Sequence, residues 1–189
     1  MRLFLCNEEE IYDKSEIVKR TKVNSQTITK ELNLLEKVGF LRKKSFFKNG
    51  KVLKNGKLGK KKRVQGYLID EKFKYLIPIK NLLCNSTPMK NRQISDRFSG
   101  VGRLKAIVVA GVFIQDSSSR LDILIAGDNL SNTKLRNAVE NIESEIGREL
   151  RYAVFDTVDL KYRLGVCDRL IRDVFDYPHE IVLDKIGLE

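Results

Sequence analysis

Residues 15–44 read SEIVKRTKVNSQTITKELNLLEKVGFLRKK. Ser15 can N-cap a short helix over Glu16–Thr21 that carries Ile17, Val18 and Thr21 on one face. Lys22-Val23-Asn24 reads as a turn, after which Asn24 or Ser25 caps a longer helix running to about Val38. Ile28, Leu32 and Leu35 recur along it at i, i+4 and i+7, the spacing of one apolar stripe. Gly39 stands where a helix end takes a left-handed residue. With that stripe turned to a core, the opposite face presents Ser25, Gln26, Thr27, Thr29, Lys30 and Asn33.

Outward from this pair, residues 40–47 and 64–69 read as the two arms of a hairpin. Between them KNGKVLKNGKLGKKKR, Lys48 to Arg63, holds seven lysines, an arginine and three glycines, a composition that packs no core and predicts a loop. Asp70–Leu83 returns to helix. Upstream, only Arg2–Cys6 precede the acidic Asn7-Glu8-Glu9-Glu10 turn, so either a first helix is very short or a partner chain covers the exposed core.

The charge of the chain is divided. Residues 1–90 carry 22 Lys+Arg against 9 Asp+Glu, and residues 91–189 carry 14 against 16, so a half at +13 is joined to a half at −2. That split points the first half, and not the second, at a polyanion. No apolar run approaches the ~18 residues of a membrane span. MRLFLCNEEE lacks the pattern of a secretory signal, so the expected location is cytoplasmic, with no membrane partner. Cys6, Cys84 and Cys167 are scattered and His179 is the single histidine, which argues against a disulfide framework or a zinc site.

Short helix, turn, longer helix and basic hairpin, in this order, resemble a winged helix-turn-helix of the MarR and ArsR sort of transcriptional regulator. The likeness spans residues 1 to about 75. It implies that the second helix of the pair enters the major groove of double-stranded DNA while the wing lies against the backbone or minor groove. Gln26 and Asn33 then suit bidentate pairing with adenine, and Ser25, Thr27 and Thr29 reach bases or phosphates. Lys30, Arg42, Lys43, Lys44, Lys60, Lys61, Lys62 and Arg63 supply phosphate contacts, which set affinity and salt dependence without reading sequence. Binding of structured RNA, or of protein alone, are the competing readings. Such domains usually open on a full helix, from which this chain departs. A homodimer is expected, because two-fold proteins match palindromic half-sites.

The second half alternates strands and helices. Ala106–Phe113 and Leu121–Ala126 read as apolar strands, Ser131–Ile146 as an amphipathic helix capped by Ser131 or Asn132, Tyr152–Phe155 as a third strand, and Val158–Phe175 as one further helix. Polar turn formers at Asn85-Ser86-Thr87-Pro88 mark a boundary. GVFIQDSSSRLDILIAGD, Gly111 to Asp128, resembles the signature of nucleotidyltransferase-like domains. That resemblance implies a glycine-serine turn and an Asp-x-Asp pair holding magnesium. Here Gly111 matches the glycine, Val112 replaces the serine, Asp122 matches the second acid and Arg120 replaces the first. A third carboxylate would be Asp156 at the end of the third strand, or Asp116 swinging in from the serine turn.

The expected organisation is α+β: a winged helix-turn-helix over 1–78, a linker helix and connector over 79–100, and a nucleotidyltransferase-like α/β domain with a short mixed sheet over 101–189. The expected function is DNA-binding transcriptional regulation. The second domain is expected to be catalytically inactive, with Asp122 a vestige of a catalytic site, and to serve in sensing, dimerisation or partner contact. Gly111, Arg120 and Asp122 are the candidates for binding a nucleotide effector; a protein effector is the other possibility. No cofactor or metal is expected; Mg2+ enters only if the chain is instead an active nucleotidyltransferase acting on a protein or RNA. A protein-interaction module without specific DNA binding is the remaining alternative.

Overall fold

The computed structural model describes residues 1–49, 60–84, 89–116 and 118–188 of a mixed α+β chain. It divides into two compact units, Met1–Leu83 and Cys84–Glu189. Asn85–Pro88, read above as a boundary, and the middle of the lysine segment, 50–59, lie outside the described residues.

The first unit runs α1 (Arg2–Leu5), β1 (Tyr12–Asp13), α2 (Lys14–Thr21), α3 (Ser25–Lys37), β2 (Leu41–Lys48), β3 (Lys62–Ile69) and α4 (Leu76–Cys84). The first helix is indeed very short, yet Leu3, Phe4 and Leu5 are all buried, and Phe4 meets Tyr12 edge-on with ring centroids 5.9 Å apart. The strands form one antiparallel sheet in the order β1-β3-β2. Strand β1 was not anticipated: two residues carry no readable period, and their place is set by pairing Tyr12 with Tyr67 and Asp13 with Gly66. Gly66 is required at the centre of this sheet, because a Cβ there would lie 2.6 Å from Ile11 and 2.7 Å from Phe46.

Helix α2 begins two residues earlier than expected, capped by Asp13 and not by Ser15. Asp13 Oδ1 accepts the Glu16 N–H at 2.9 Å, and the Ser15 hydroxyl donates to the same oxygen. Asn24 caps α3 by accepting the Thr27 N–H at 2.8 Å. At the other end of α3, Gly39 takes φ +77°. There Gly39 N–H donates to Glu36 O at 3.0 Å and Phe40 N–H to Leu35 O at 2.9 Å, the paired bonds of a Schellman ending. Phe40 is thereby delivered to the core, where it is 0% exposed. The hairpin follows in the expected place, pairing Leu41 with Ile69 and Lys48 with Lys62. Residues 70–75, expected within the last helix, are turns that precede α4.

The second unit runs α5 (Asn91–Arg97), β4 (Arg103–Val109), β5 (Ile123–Asp128), α6 (Asn132–Ile146), β6 (Tyr152–Phe155), α7 (Thr157–Gly165), α8 (Arg169–Phe175) and β7 (Glu180–Asp184). Its sheet is mixed, in the order β6-β5-β4-β7. Strand β4 is antiparallel to both neighbours, and β5 is parallel to β6. The parallel pair needs a crossover, and α6 is that crossover. Both sheet faces are covered, which explains the unbroken apolar runs. Ile107, Val109, Ile123 and Ile125 pack with Ile94, Phe98, Leu135 and Ile142 on one side. Ala106, Val108, Leu124 and Ala126 pack with Leu160, Ile171 and Val174 on the other.

Four expectations change here. The strand read as 106–113 stops at Val109, and Gly111–Phe113 is a 3-10 turn. The helix read as 158–175 is two, broken where Cys167 takes φ +52° and Asp168 accepts the Leu170 N–H to cap α8. Residues 91–100, read as connector, hold α5, and both Ile94 and Phe98 are 0% exposed in the core. Strand β7 was missed; its alternation is weak, and pairing with the open edge of β4 is what makes it a strand. Among the described residues, no helix is long and apolar enough to cross a membrane.

Candidate nucleic-acid interface

Because Ile28 and Leu32 are buried and Leu35 is half-buried, helical periodicity turns the opposite face of α3 outward. Ser25, Gln26, Thr27, Lys30 and Asn33 are exposed, while Thr29 is half-buried and spends its hydroxyl on Ser25 O at 2.7 Å. Thr29 is therefore the weakest donor of the expected set. Leu34 and Val38 also face outward, at 54% and 53% exposure, so the outer face of α3 is polar with an apolar far end. Sequence reading placed neither residue there, although i, i+4 spacing from Lys30 to Leu34 to Val38 carries that signal.

The cations of the hairpin separate into tethered and free. Lys43 Nζ lies 2.6 Å from Glu36 Oε2 and 5.9 Å from the Tyr67 ring centroid, and the Glu36 hydrogen bond raises its pKa. Arg42 is 3.9 Å from Glu71, a loose pairing between exposed groups. Lys44, Lys60, Lys61, Lys62 and Arg63 have no ion-pair partner among the described residues, and all are exposed. Lys48, at the start of the lysine run, is different in kind. Its Nζ sits 2.5 Å from Asp13 Oδ2 and 3.2 Å from Glu16 Oε2, which ties the hairpin to the start of α2. Burial works against ionisation of Asp13. Hydrogen bonds from Lys48, Ser15 and the Glu16 N–H outweigh it and lower the carboxyl from 3.8 to about 2. Phe47, cross-strand from Arg63, is 70% exposed among these cations.

In the second unit, Gly111, Arg120 and Asp122 do not make an open site. Asp122 is 0% exposed, and four donors engage its carboxylate. Val112 N–H and Arg151 Nη2 reach Oδ1 at 3.0 and 3.2 Å. Arg151 N–H and Nε reach Oδ2 at 2.8 and 3.2 Å. Gly111 lies directly over Oδ1 at φ +52°. Arg120 turns away to Asp173, with Nη1 3.1 Å from Oδ2. The parallel register sets Arg151 beside Asp122 and carries Asp156 five residues further along β6, about 16 Å away at 3.3 Å per residue. Asp116 is held in its own turn by the Ser118 N–H and hydroxyl at 2.9 and 2.6 Å. No group of three or more metal-ligating side chains forms among the described residues. Sequence reading missed Arg151, whose role follows from strand register alone.

No family model, curated protein sequence or solved structure matches the chain.

Proposed function

We propose that the first unit is a winged helix-turn-helix that binds double-stranded DNA, and that the chain acts in transcriptional regulation. The observation that carries this reading is the pairing of α3's exposed Gln26, Lys30 and Asn33 with a hairpin whose Lys44, Lys60, Lys61, Lys62 and Arg63 have no ion-pair partner among the described residues. Unpaired cations in a half at +13 are what counterion release from a duplex requires. The order α1-β1-α2-α3-β2-β3, with the sheet order β1-β3-β2, supports the same reading. The second unit is a nucleotidyltransferase-like domain without catalytic function, used in sensing, dimerisation or partner contact. Supporting that, its one motif carboxylate is sealed against Arg151 and serves the fold.

The test is binding of a random duplex across a salt series, followed by selection of bound sequences from a random library. Affinity should fall steeply as salt rises, and a palindrome should be enriched. No binding at about 50 mM salt would refute the DNA reading, and binding without any enriched sequence would reduce it to non-specific attachment.

A further inference from the structure

At the end of β4 opposite to Asp122, Arg103 and Lys105 line a cleft of about 500 Å3. Lys185, just beyond β7, lines it too, and its N–H donates to Lys105 O at 2.8 Å, so the two lysines are backbone neighbours on the same cleft. Like charges so placed repel, and three cations in one cleft need compensation. Among the described residues none of the three makes an ion pair. Asp184 adjoins Lys185, yet its oxygens accept the Ile186, Gly187 and Leu188 N–H groups at 2.8, 3.0 and 2.8 Å. Those bonds, Ile186 first, hold its carboxyl below the usual range. Five arginines of this unit make ion pairs, among them Arg97 with Glu145 and Arg163 with Asp159, and what sets Arg103, Lys105 and Lys185 apart is that they line one cleft together. General basicity is no explanation either, since residues 91–189 carry −2 overall.

The remaining lining narrows the ligand. Ser95 and Ser99, i and i+4 at the end of α5, bring hydroxyls for which no protein partner is found among the described residues. Asp96 is the one carboxylate among the lining residues, so that side of the cleft accepts hydrogen-bond donors. Leu104 and Leu183 add an apolar wall. The volume is that of a small-molecule site. We infer that this cleft binds a nucleoside di- or triphosphate, its phosphates on Arg103, Lys105 and Lys185 and its sugar hydroxyls on Asp96. The site is distinct from Gly111, Arg120 and Asp122, and does not depend on the DNA reading.

The test is calorimetric titration of the full chain with ADP, ATP, adenosine and inorganic pyrophosphate. ADP and ATP should bind with Kd below about 1 mM, adenosine should give no heat, and pyrophosphate should bind more weakly than ADP. Lys105→Gln with Lys185→Gln should weaken ADP by about tenfold or more, while Lys105→Arg with Lys185→Arg restores binding and Arg120→Gln leaves it unchanged. A thermal melt of each variant establishes that it folds. The inference is overturned if ADP gives no heat at about 5 mM, well above the predicted Kd. It is equally overturned if the glutamine pair binds like the parent, or if Arg120→Gln abolishes binding. Pyrophosphate binding as tightly as ADP would remove the nucleoside. DNA affinity that falls in the glutamine pair, with no heat from ADP, would reassign the cleft to nucleic acid.

Discussion

Gly111 and Asp122 form one unit of structure. A Cβ on Gly111 would run into Asp122 Oδ1, and φ +52° already disfavours a side chain. Gly111→Ala should therefore cost about 2–3 kcal/mol in a denaturant titration, more than conformational strain alone. Asp122→Ala strands the Val112 and Arg151 N–H groups and should cost about 2–4 kcal/mol. Labelled nucleotide transfer lost in Asp122→Ala, with the fold intact, would contradict the inactive reading of this domain. Asp13 gives a pH signature. Its carboxyl is lowered in the folded state, so its contribution is fully present above the unfolded value of 3.8 and is lost as pH falls towards about 2. The shift corresponds to about 2 kcal/mol. Lys48→Met should move the acid-unfolding midpoint, followed by circular dichroism, to higher pH.

At the scale of elements, α3 is defined by its two ends. Asn24→Ala removes the acceptor of the Thr27 N–H and should cost about 1 kcal/mol. Gly39→Ala should also cost about 1 kcal/mol, for a different reason: nothing lies within 4 Å of an added Cβ, so the penalty is that of φ +77° alone. Gly66→Ala should cost more than Gly39→Ala in the same thermal melts, since its Cβ meets Ile11 and Phe46 at 2.6 and 2.7 Å. Equal losses would mean the sheet relaxes around the added methyl group. Elements with a strong period, α3, α6 and the two arms of the hairpin, were legible in advance. Elements set by partners were not: the two residues of β1, the five of β7 and the break between α7 and α8 depend on a neighbour or on one left-handed residue.

For the whole molecule, charge is the property that composition alone makes visible. If the first unit binds duplex DNA, Lys44→Gln, Lys61→Gln and Lys62→Gln together should reduce the salt slope of binding by about 3, with affinity falling alike on every sequence. Gln26→Ala and Asn33→Ala should leave the slope and relax the sequence preference by about 1–3 kcal/mol per base contacted. Fluorescence anisotropy over salt concentration separates the two classes. Lysines that lower the slope unequally would indicate that the hairpin meets the duplex on one edge.

The sequence by itself determined the helix pair, the basic hairpin, the α+β alternation of the second half and the division of charge. These are local properties of side-chain period, caps and composition. Tertiary structure decided what each charged group does, because a lysine's role depends on who stands within 4 Å of it. Lys48 became a clamp on Asp13 while Lys44 makes no ion pair among the described residues. Strand register, which no local pattern encodes, set Arg151 against Asp122, carried Asp156 away, and brought Lys185 beside Lys105.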